Sequence, residues 1–203
     1  MTRHPLAALL VLVSAAGGFA QEKKGDTPPK NVFPLTKGTK WEYVLKGAEE
    51  VPWTQEVTDV SEPKKGERAV VTLTSKVGTT VLTAKHSADE NAVYEHTRGS
   101  KDLAAPLVMI KLPVKAGTKW TEKYTYNGDD ATSEYEVKEA EEVTTPAGKY
   151  TAYPVVQKIK TKLGGSTITH WYADGVGMVR QEIRVFGKPD VVELKAFSPA
   201  KGK

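Results

Sequence analysis

Apolar and polar residues alternate along most of the chain, and turn-forming residues interrupt the alternation at short, regular intervals. Residues 133–138 show the pattern clearly, because Ser133, Tyr135 and Val137 alternate with charged residues. A period of two is typical of strands with one dry and one wet face. We therefore predict an all-β antiparallel meander of about eleven strands. So many strands favour a strongly curved open sheet or half-barrel over a flat sheet.

One eight-residue block occurs twice in similar form. Residues 34–41 read Pro-Leu-Thr-Lys-Gly-Thr-Lys-Trp, and residues 113–120 read Pro-Val-Lys-Ala-Gly-Thr-Lys-Trp. Weaker matches follow in the same order, as expected of a duplicated unit whose copies complete one core. We predict repeats over 33–97 and 112–186, which superpose with Trp41 on Trp120 and Asp89 on Asp174, and a last strand to residue 197.

The linker between the two repeats has an ambiguous pattern. It contains the apolar run Leu103–Ile110, which Pro106 interrupts. A short helix before Pro106 and a buried strand after it both fit, because periodicity does not separate them at this length.

The chain ends predict the domain boundaries and the location. Residues 1–20 have a short positive start, an apolar run and a small-residue site, which indicate a cleaved secretory signal peptide. Residues 21–31 and 198–203 lack periodicity and should be a flexible leader and tail, so residues 32–197 form a single β domain. We expect a secreted or periplasmic protein.

Composition narrows the list of partners. The chain has no cysteine, so we expect no lipid anchor at a cysteine and no disulfide. Its 29 basic and 25 acidic residues give a net charge of +4, and the two signs are interleaved rather than clustered as in a nucleic-acid footprint. The apolar run at the N-terminus is too short for a transmembrane segment, and no later stretch approaches the length that a membrane helix needs. We expect a monomer that binds no nucleic acid.

The sequence offers little catalytic or metal-binding chemistry. It contains no nucleophile-elbow or phosphate-loop motif, and its paired carboxylates lie in or near predicted turns. His86 and His96 flank one predicted hairpin and could form a weak zinc or copper site, but histidines without a third ligand are by default surface residues. We therefore predict no catalytic residues, no metal and no cofactor, and we do not expect an enzyme.

Three motifs resemble those of a known family. They are Phe33-Pro-Leu with the Gly-Thr-Lys-Trp block, the Thr145-Pro-Ala-Gly-Lys-Tyr turn, and the stretch Trp171-Tyr-Ala-Asp-Gly-Val-Gly-Met-Val-Arg180. Together they are similar to secreted bacterial β-proteins labelled TapB-like. The resemblance implies curved antiparallel sheets like those of the LolA and LolB lipoprotein carriers, and it brings no catalytic residues with it.

Aromatic residues supply the candidate site. Trp41 and Trp120 follow tight turns and are predicted to be buried anchors, each worth roughly 3–5 kcal/mol of stability. The candidate ligand-binding residues are Tyr124, Tyr126, Tyr135, His170, Trp171 and Tyr172. Alternation places Trp171 on one strand face, and His170 and Tyr172 on the other. They suggest a binding protein for an apolar or amphipathic, lipid-like ligand; the alternative is a structural or interaction module that binds an envelope protein through its sheet edges.

Overall fold

The computed structural model describes residues 31–201 except 48, 99–100, 127 and 186, and it leaves out the side chain of Tyr126. The predicted signal peptide and nearly all of the predicted leader lie outside the described residues. The described part contains thirteen strands and no helix. The strands are β1 (Lys40–Lys46), β2 (Val51–Val60), β3 (Val71–Val77), β4 (Thr80–Ala88), β5 (Ala92–Arg98), β6 (Lys101–Lys111), β7 (Lys119–Tyr126), β8 (Asp129–Val137), β9 (Glu141–Thr145), β10 (Gly148–Thr161), β11 (Gly164–Ala173), β12 (Gly177–Arg184) and β13 (Asp190–Ser198).

All the strands belong to one antiparallel sheet, as the alternating pattern predicted. Their order is β6-β5-β4-β3-β2-β1-β13-β12-β11-β10-β8-β7, and the short β9 pairs with the first part of β10. The first half of the sheet is thus the meander β1 to β6, and the second half is the corresponding meander from β7 to β13. The first strand pairs with the last, from Lys40 opposite Ser198 to Lys46 opposite Val191. This pairing joins the two halves into a strongly curved sheet.

The two blocks that share the Gly-Thr-Lys-Trp sequence make the same backbone contacts. Gly38 N donates to Val57 O at 2.9 Å, and Gly117 N donates to Val137 O at 2.9 Å. Gly38 and Gly117 have φ values of 89° and 81°, a conformation that favours glycine. These matching contacts support the predicted repeat over 33–97 and 112–186, whose boundaries stay a prediction.

The core contains large side chains from both halves. Trp41 and Tyr43 of β1 are buried, and Phe33 stacks on Trp41 with ring centroids 5.9 Å apart. The indole of Trp41 donates to Val176 O at 2.6 Å, and the Tyr43 hydroxyl donates to Met178 O at 3.0 Å. Since each polar tip has a partner, these aromatic residues can be buried without an unpaired group. They connect the first strand to β12 and to the turn that precedes it.

The linker between the halves is a strand. Residues 101–111 form β6, so of the two alternatives the strand is confirmed and the short helix before Pro106 is wrong. Proline lacks an N–H donor but is tolerated in an edge strand, and β6 lies at the end of the sheet order. The count of about eleven strands was also too low, because β6 was ambiguous and β9 is only five residues long.

The two edge strands, β6 and β7, approach each other and make the curved sheet nearly closed. They are not paired through their backbones along this seam; side chains bridge it instead. The Trp120 indole donates to Val108 O at 2.9 Å, and the Glu122 carboxylate accepts a hydrogen bond from the backbone of Val108. Within the described residues, no helix is long and apolar enough to cross a membrane.

Candidate functional site

A cavity of about 480 Å³ lies inside the second half of the curved sheet. Strands β7, β8, β10 and β11 form most of its wall, and β5 and β6 close it on the side of the seam. Much of the wall is apolar, with Met109, Ala131, Val155, Ile159 and Ile168 facing the space. A volume of this size is typical of a small-molecule site.

An ion pair forms the charged part of the wall. Arg98 Nη2 lies 2.5 Å from Glu95 Oε2, and the guanidinium carbon of Arg98 lies 4.4 Å from the centroid of the Tyr124 ring. Both charged side chains are less than one-fifth exposed, at 19% for Arg98 and 18% for Glu95. Burial opposes the charge of Arg98, but the carboxylate of Glu95 outweighs it and holds the pKa of Arg98 above its ordinary value. The guanidinium is therefore charged and held in place from two sides.

Hydrogen bonds connect the polar residues of β8 and β10. The Gln157 side-chain amide donates to Ser133 Oγ at 3.0 Å and to the Tyr135 hydroxyl at 2.9 Å. The hydroxyl oxygens of Tyr124 and Ser133 are 3.1 Å apart. The Tyr135 ring stacks on Trp120, with centroids 4.7 Å apart and planes 3° from parallel. Burial raises the pKa of Tyr135, against the effect of the nearby Arg98, so its phenol is neutral.

His170 and Tyr172 of β11 complete the polar wall. The Gln181 side-chain amide lies 2.6 Å from His170 Nε2 and can donate to it. Burial, helped by the charge of Arg98, lowers the pKa of His170 to about 4, so the imidazole is neutral near pH 7. Burial also raises the pKa of Tyr172, whose ring stacks on His170 at 5.8 Å. Both rings present neutral polar surface to the cavity.

The structure brings four of the six candidate residues to this cavity, and they are Tyr124, Tyr135, His170 and Tyr172. Trp171 lies on the opposite face of β11 and does not line the cavity. Its indole donates to Glu141 Oε1 at 2.6 Å, and Arg180 lies 5.1 Å from its ring centroid. The side chain of Tyr126 lies outside the described part of the chain. That any of these residues contacts a ligand stays a prediction.

Sequence reasoning missed Glu95, Arg98 and Gln157. Strict alternation along β5 places Arg98 on the face of Tyr94 and His96, away from Glu95. The pairing of β5 with β6 is irregular between Glu95 and Thr97, however, and Arg98 turns to the side of Glu95. A bulge of this kind leaves no clear signal in the sequence. Gln157 carried a weak signal, as a polar residue among the apolar positions of β10.

The histidines do not form the weak metal site that the hairpin suggested. His86 is buried and packs against Phe33 at 5.6 Å, so the expectation of a surface residue is wrong for it. His96 lies on the other face of the sheet, where its Nε2 is 2.8 Å from Ser87 Oγ. Among the described residues, no group of three or more histidines and carboxylates could hold a metal ion.

Comparisons with known proteins agree with the fold. A family model described as DUF3108-like matches residues 115–184, which is less than half of the chain. No curated protein matches the chain. The resemblance to the TapB-like family and to LolA and LolB stays an expectation.

Two solved structures are similar over most of the chain. A candidate lipoprotein from Parabacteroides distasonis ATCC 8503 has a TM-score of 0.56 and 16% identity, covering 85% of this chain and 100% of that chain. A candidate exported protein with a YmcC-like fold from Bacteroides fragilis NCTC 9343 has a TM-score of 0.53 and 17% identity, covering 82% and 98%. At such low identities, these likenesses show a common fold.

Proposed function

We propose that this chain is a secreted or periplasmic, non-catalytic binding protein that holds an apolar or amphipathic small molecule in the cavity of its second half. The observation that carries the proposal is the composition of the cavity wall. Apolar side chains such as Val155 and Ile168 share it with a polar cluster around Arg98. An apolar wall with a few converging polar groups is typical of a ligand site.

The location is proposed from two independent observations. The N-terminal segment has the pattern of a secretory signal peptide. The two structural neighbours are named as a lipoprotein and as an exported protein, which supports a place in the cell envelope for this chain as well.

The alternative function, an interaction module that pairs its sheet edges with a partner, has less support. The longer exposed edges would be β6 and β7, which face each other across the seam; the short β9, which pairs with β10 alone, is the other. The side chains of Trp120 and Glu122 already contact the backbone of Val108 at this seam. An added strand would have to displace these contacts before it could pair.

Ligand binding can be tested with the neutral fluorescent probe N-phenyl-1-naphthylamine, whose emission rises in apolar surroundings. Ala131 lines the cavity and is buried, so the variant Ala131→Phe should fill part of the space and weaken probe binding by about tenfold, which corresponds to roughly 1.4 kcal/mol. The matched control is Thr132→Phe, which adds the same side chain one residue away, on the other face of β8.

Two results would contradict the proposal. The first is a wild-type protein that neither binds the probe nor releases a small molecule into organic solvent. The second is equal probe binding by the Ala131→Phe and Thr132→Phe variants. Circular dichroism of both variants shows whether the sheet has been retained.

A further inference from the structure

We propose that the ligand of this cavity carries an uncharged head group with a hydrogen-bond-accepting oxygen, such as the carbonyl of an acyl ester, and is not a free fatty acid. The inference rests on the proposed function and names the class of ligand. It follows from the two charged side chains of the wall, Glu95 and Arg98, and from the one donor atom that they leave without a partner.

The charges of the wall cancel. Among the described residues that line the cavity, the charged ones are Arg98 and Glu95, which pair with each other. His170, Tyr135 and Tyr172 are neutral near pH 7, since burial lowers the pKa of the histidine and raises the pKa values of the two tyrosines. A ligand carboxylate would enter a cavity with no net positive charge and would lie near the Glu95 carboxylate. It would lose its hydration without gaining an unpaired cation.

One strong donor in the cluster has no partner. Arg98 Nη1 is buried and has no protein acceptor in hydrogen-bond geometry, whereas the other two guanidinium nitrogens bond to Glu95 and the Tyr135 hydroxyl lies beside the guanidinium. Guanidinium groups donate and never accept, so the ligand must supply an acceptor. A buried donor without a partner is unfavourable, and a carbonyl oxygen would supply the missing acceptor without bringing a charge. The Tyr124 ring and Glu95 hold the donor in place before a ligand arrives.

The rest of the wall suits an acyl chain. Ile159, Thr161 and Ser166 border both the cavity and a smaller depression at the β10–β11 hairpin. That depression reaches Leu163 and Val185, which are 92% and 53% exposed. Apolar surface therefore continues from the polar cluster out to the rim. A single chain can lie along it with its head at Arg98.

The test compares two ligands of equal chain length, 1-monolauroylglycerol and laurate, which compete with N-phenyl-1-naphthylamine below their micelle-forming concentrations at pH 7.5. We expect wild-type protein to bind the ester at least ten times more tightly than the acid. The variant Glu95→Gln removes the opposing charge and keeps the shape, so it should bind laurate at least ten times more tightly than wild type does. Glu134→Gln is the matched control, because Glu134 pairs with Lys160 on the exposed face of β8 and should leave the preference unchanged.

The outcomes separate this inference from the proposed function. If wild type binds laurate as well as or better than the ester, the inference is overturned, while the proposed binding function stands. If the probe binds but neither ligand displaces it, the inference is overturned and the proposed function stands, whereas a wild-type protein that does not bind the probe at all would count against both. The wild-type comparison decides between ester and acid by itself, even if Glu95→Gln does not fold. A Glu95→Gln variant that folds and has the wild-type preference would show that Glu95 does not set the ligand class.

Discussion

The two halves of the sheet have the same pairing register and different interiors. In the first half, Trp41, Tyr43 and Leu45 of β1 lie opposite Gln55, Trp53 and Val51 of β2. In the second half, Trp120, Glu122 and Tyr124 of β7 lie opposite Tyr135, Ser133 and Ala131 of β8. The first pair of each half contains a tryptophan, but the second pair differs strongly in volume.

The difference in volume lies beside the cavity, because Ser133 stands between Ala131 and Tyr135, which line it. Tyr43 and Trp53 pack with ring centroids 5.1 Å apart and fill the first half. At the corresponding place, the second half has Glu122 and Ser133, and Glu122 reaches across the seam to Val108. Because protein interiors are packed to high density, replacing two large rings by small or outward-reaching side chains leaves a space that the backbone does not close. The same arrangement of strands can thus enclose either a fully packed core or a cavity, depending on the size of the side chains at two or three inward positions.

The largest effect that we expect comes from the tryptophan that each half keeps. Trp41→Ala should lower the free energy of unfolding in urea by about 3–5 kcal/mol, since the ring is fully buried. Trp120→Ala should also destabilise, and it should in addition weaken binding of N-phenyl-1-naphthylamine, because Tyr135 loses the ring on which it stacks. If Trp41→Ala weakens binding as much as Trp120→Ala does, the halves do not divide stability and binding in this way.

The next effect is a pH dependence to which both halves contribute. Burial lowers the pKa of His86 in the first half and of His170 in the second to about 4, while an unfolded histidine has a pKa near 6.5. Between these values the unfolded chain binds more protons, so stability that is present above pH 6.5 is lost as the pH falls through 4. The loss should be roughly 3 kcal/mol for each histidine.

Urea unfolding at pH 7 and at pH 4.5 measures this loss. His86→Leu should remove about half of the pH dependence, because Nδ1 of His86 has no hydrogen-bond partner and the site is apolar. A variant with the same acid sensitivity as wild type would show that His86 is protonated in the folded protein.

The smallest loss of stability that we expect, about 2 kcal/mol, comes from replacing a large side chain of the first half by a small one. Trp53→Ser places the residue of the second half in the first, and the cost is reduced because Trp53 is only partly buried and its indole N–H has no partner. The gain should be a second probe site, raising the stoichiometry from about one to about two per chain. Thr54→Ser, on the other strand face, is the control. An unchanged stoichiometry would mean that the sizes of these residues do not explain the cavity.

The architecture was largely predictable from the sequence, because alternation reports which face of a strand is dry. It identified the all-β class, the curvature, and the placement of His170 and Tyr172 on one face with Trp171 on the other. The sequence also offered Tyr124 and Tyr135 as candidate residues, and both line the cavity. Alternation predicted the wrong face for Arg98, because the irregular pairing of β5 with β6 turns this side chain to the other face of the sheet. It left the segment of β6 open between a helix and a strand, because a proline in an edge strand resembles a helix boundary.

The cavity itself could not be predicted, since a small inward residue such as Ser133 or Ala131 says nothing about what fills the space before it. That depends on residues such as Met109 and Glu95, which reach it from strands far away in the sequence. Comparing the two predicted repeats position by position shows the difference only once the strand registers are known, because Trp53 then corresponds to Ser133.

The pairing of β1 with β13 also determines the order in which the molecule can assemble. During synthesis β1 emerges first and β13 last. Until the chain is nearly complete, β1 can therefore pair with β2 along one edge, while the backbone N–H and C=O groups along its other edge stay unpaired. Joining the ends of a long chain segment is a slow step in folding. A chain that stops before residue 190 would leave both β1 and β12 with an unpaired edge, the kind of surface that recruits other chains. Truncation of the last strand should therefore cause aggregation rather than a shorter folded domain.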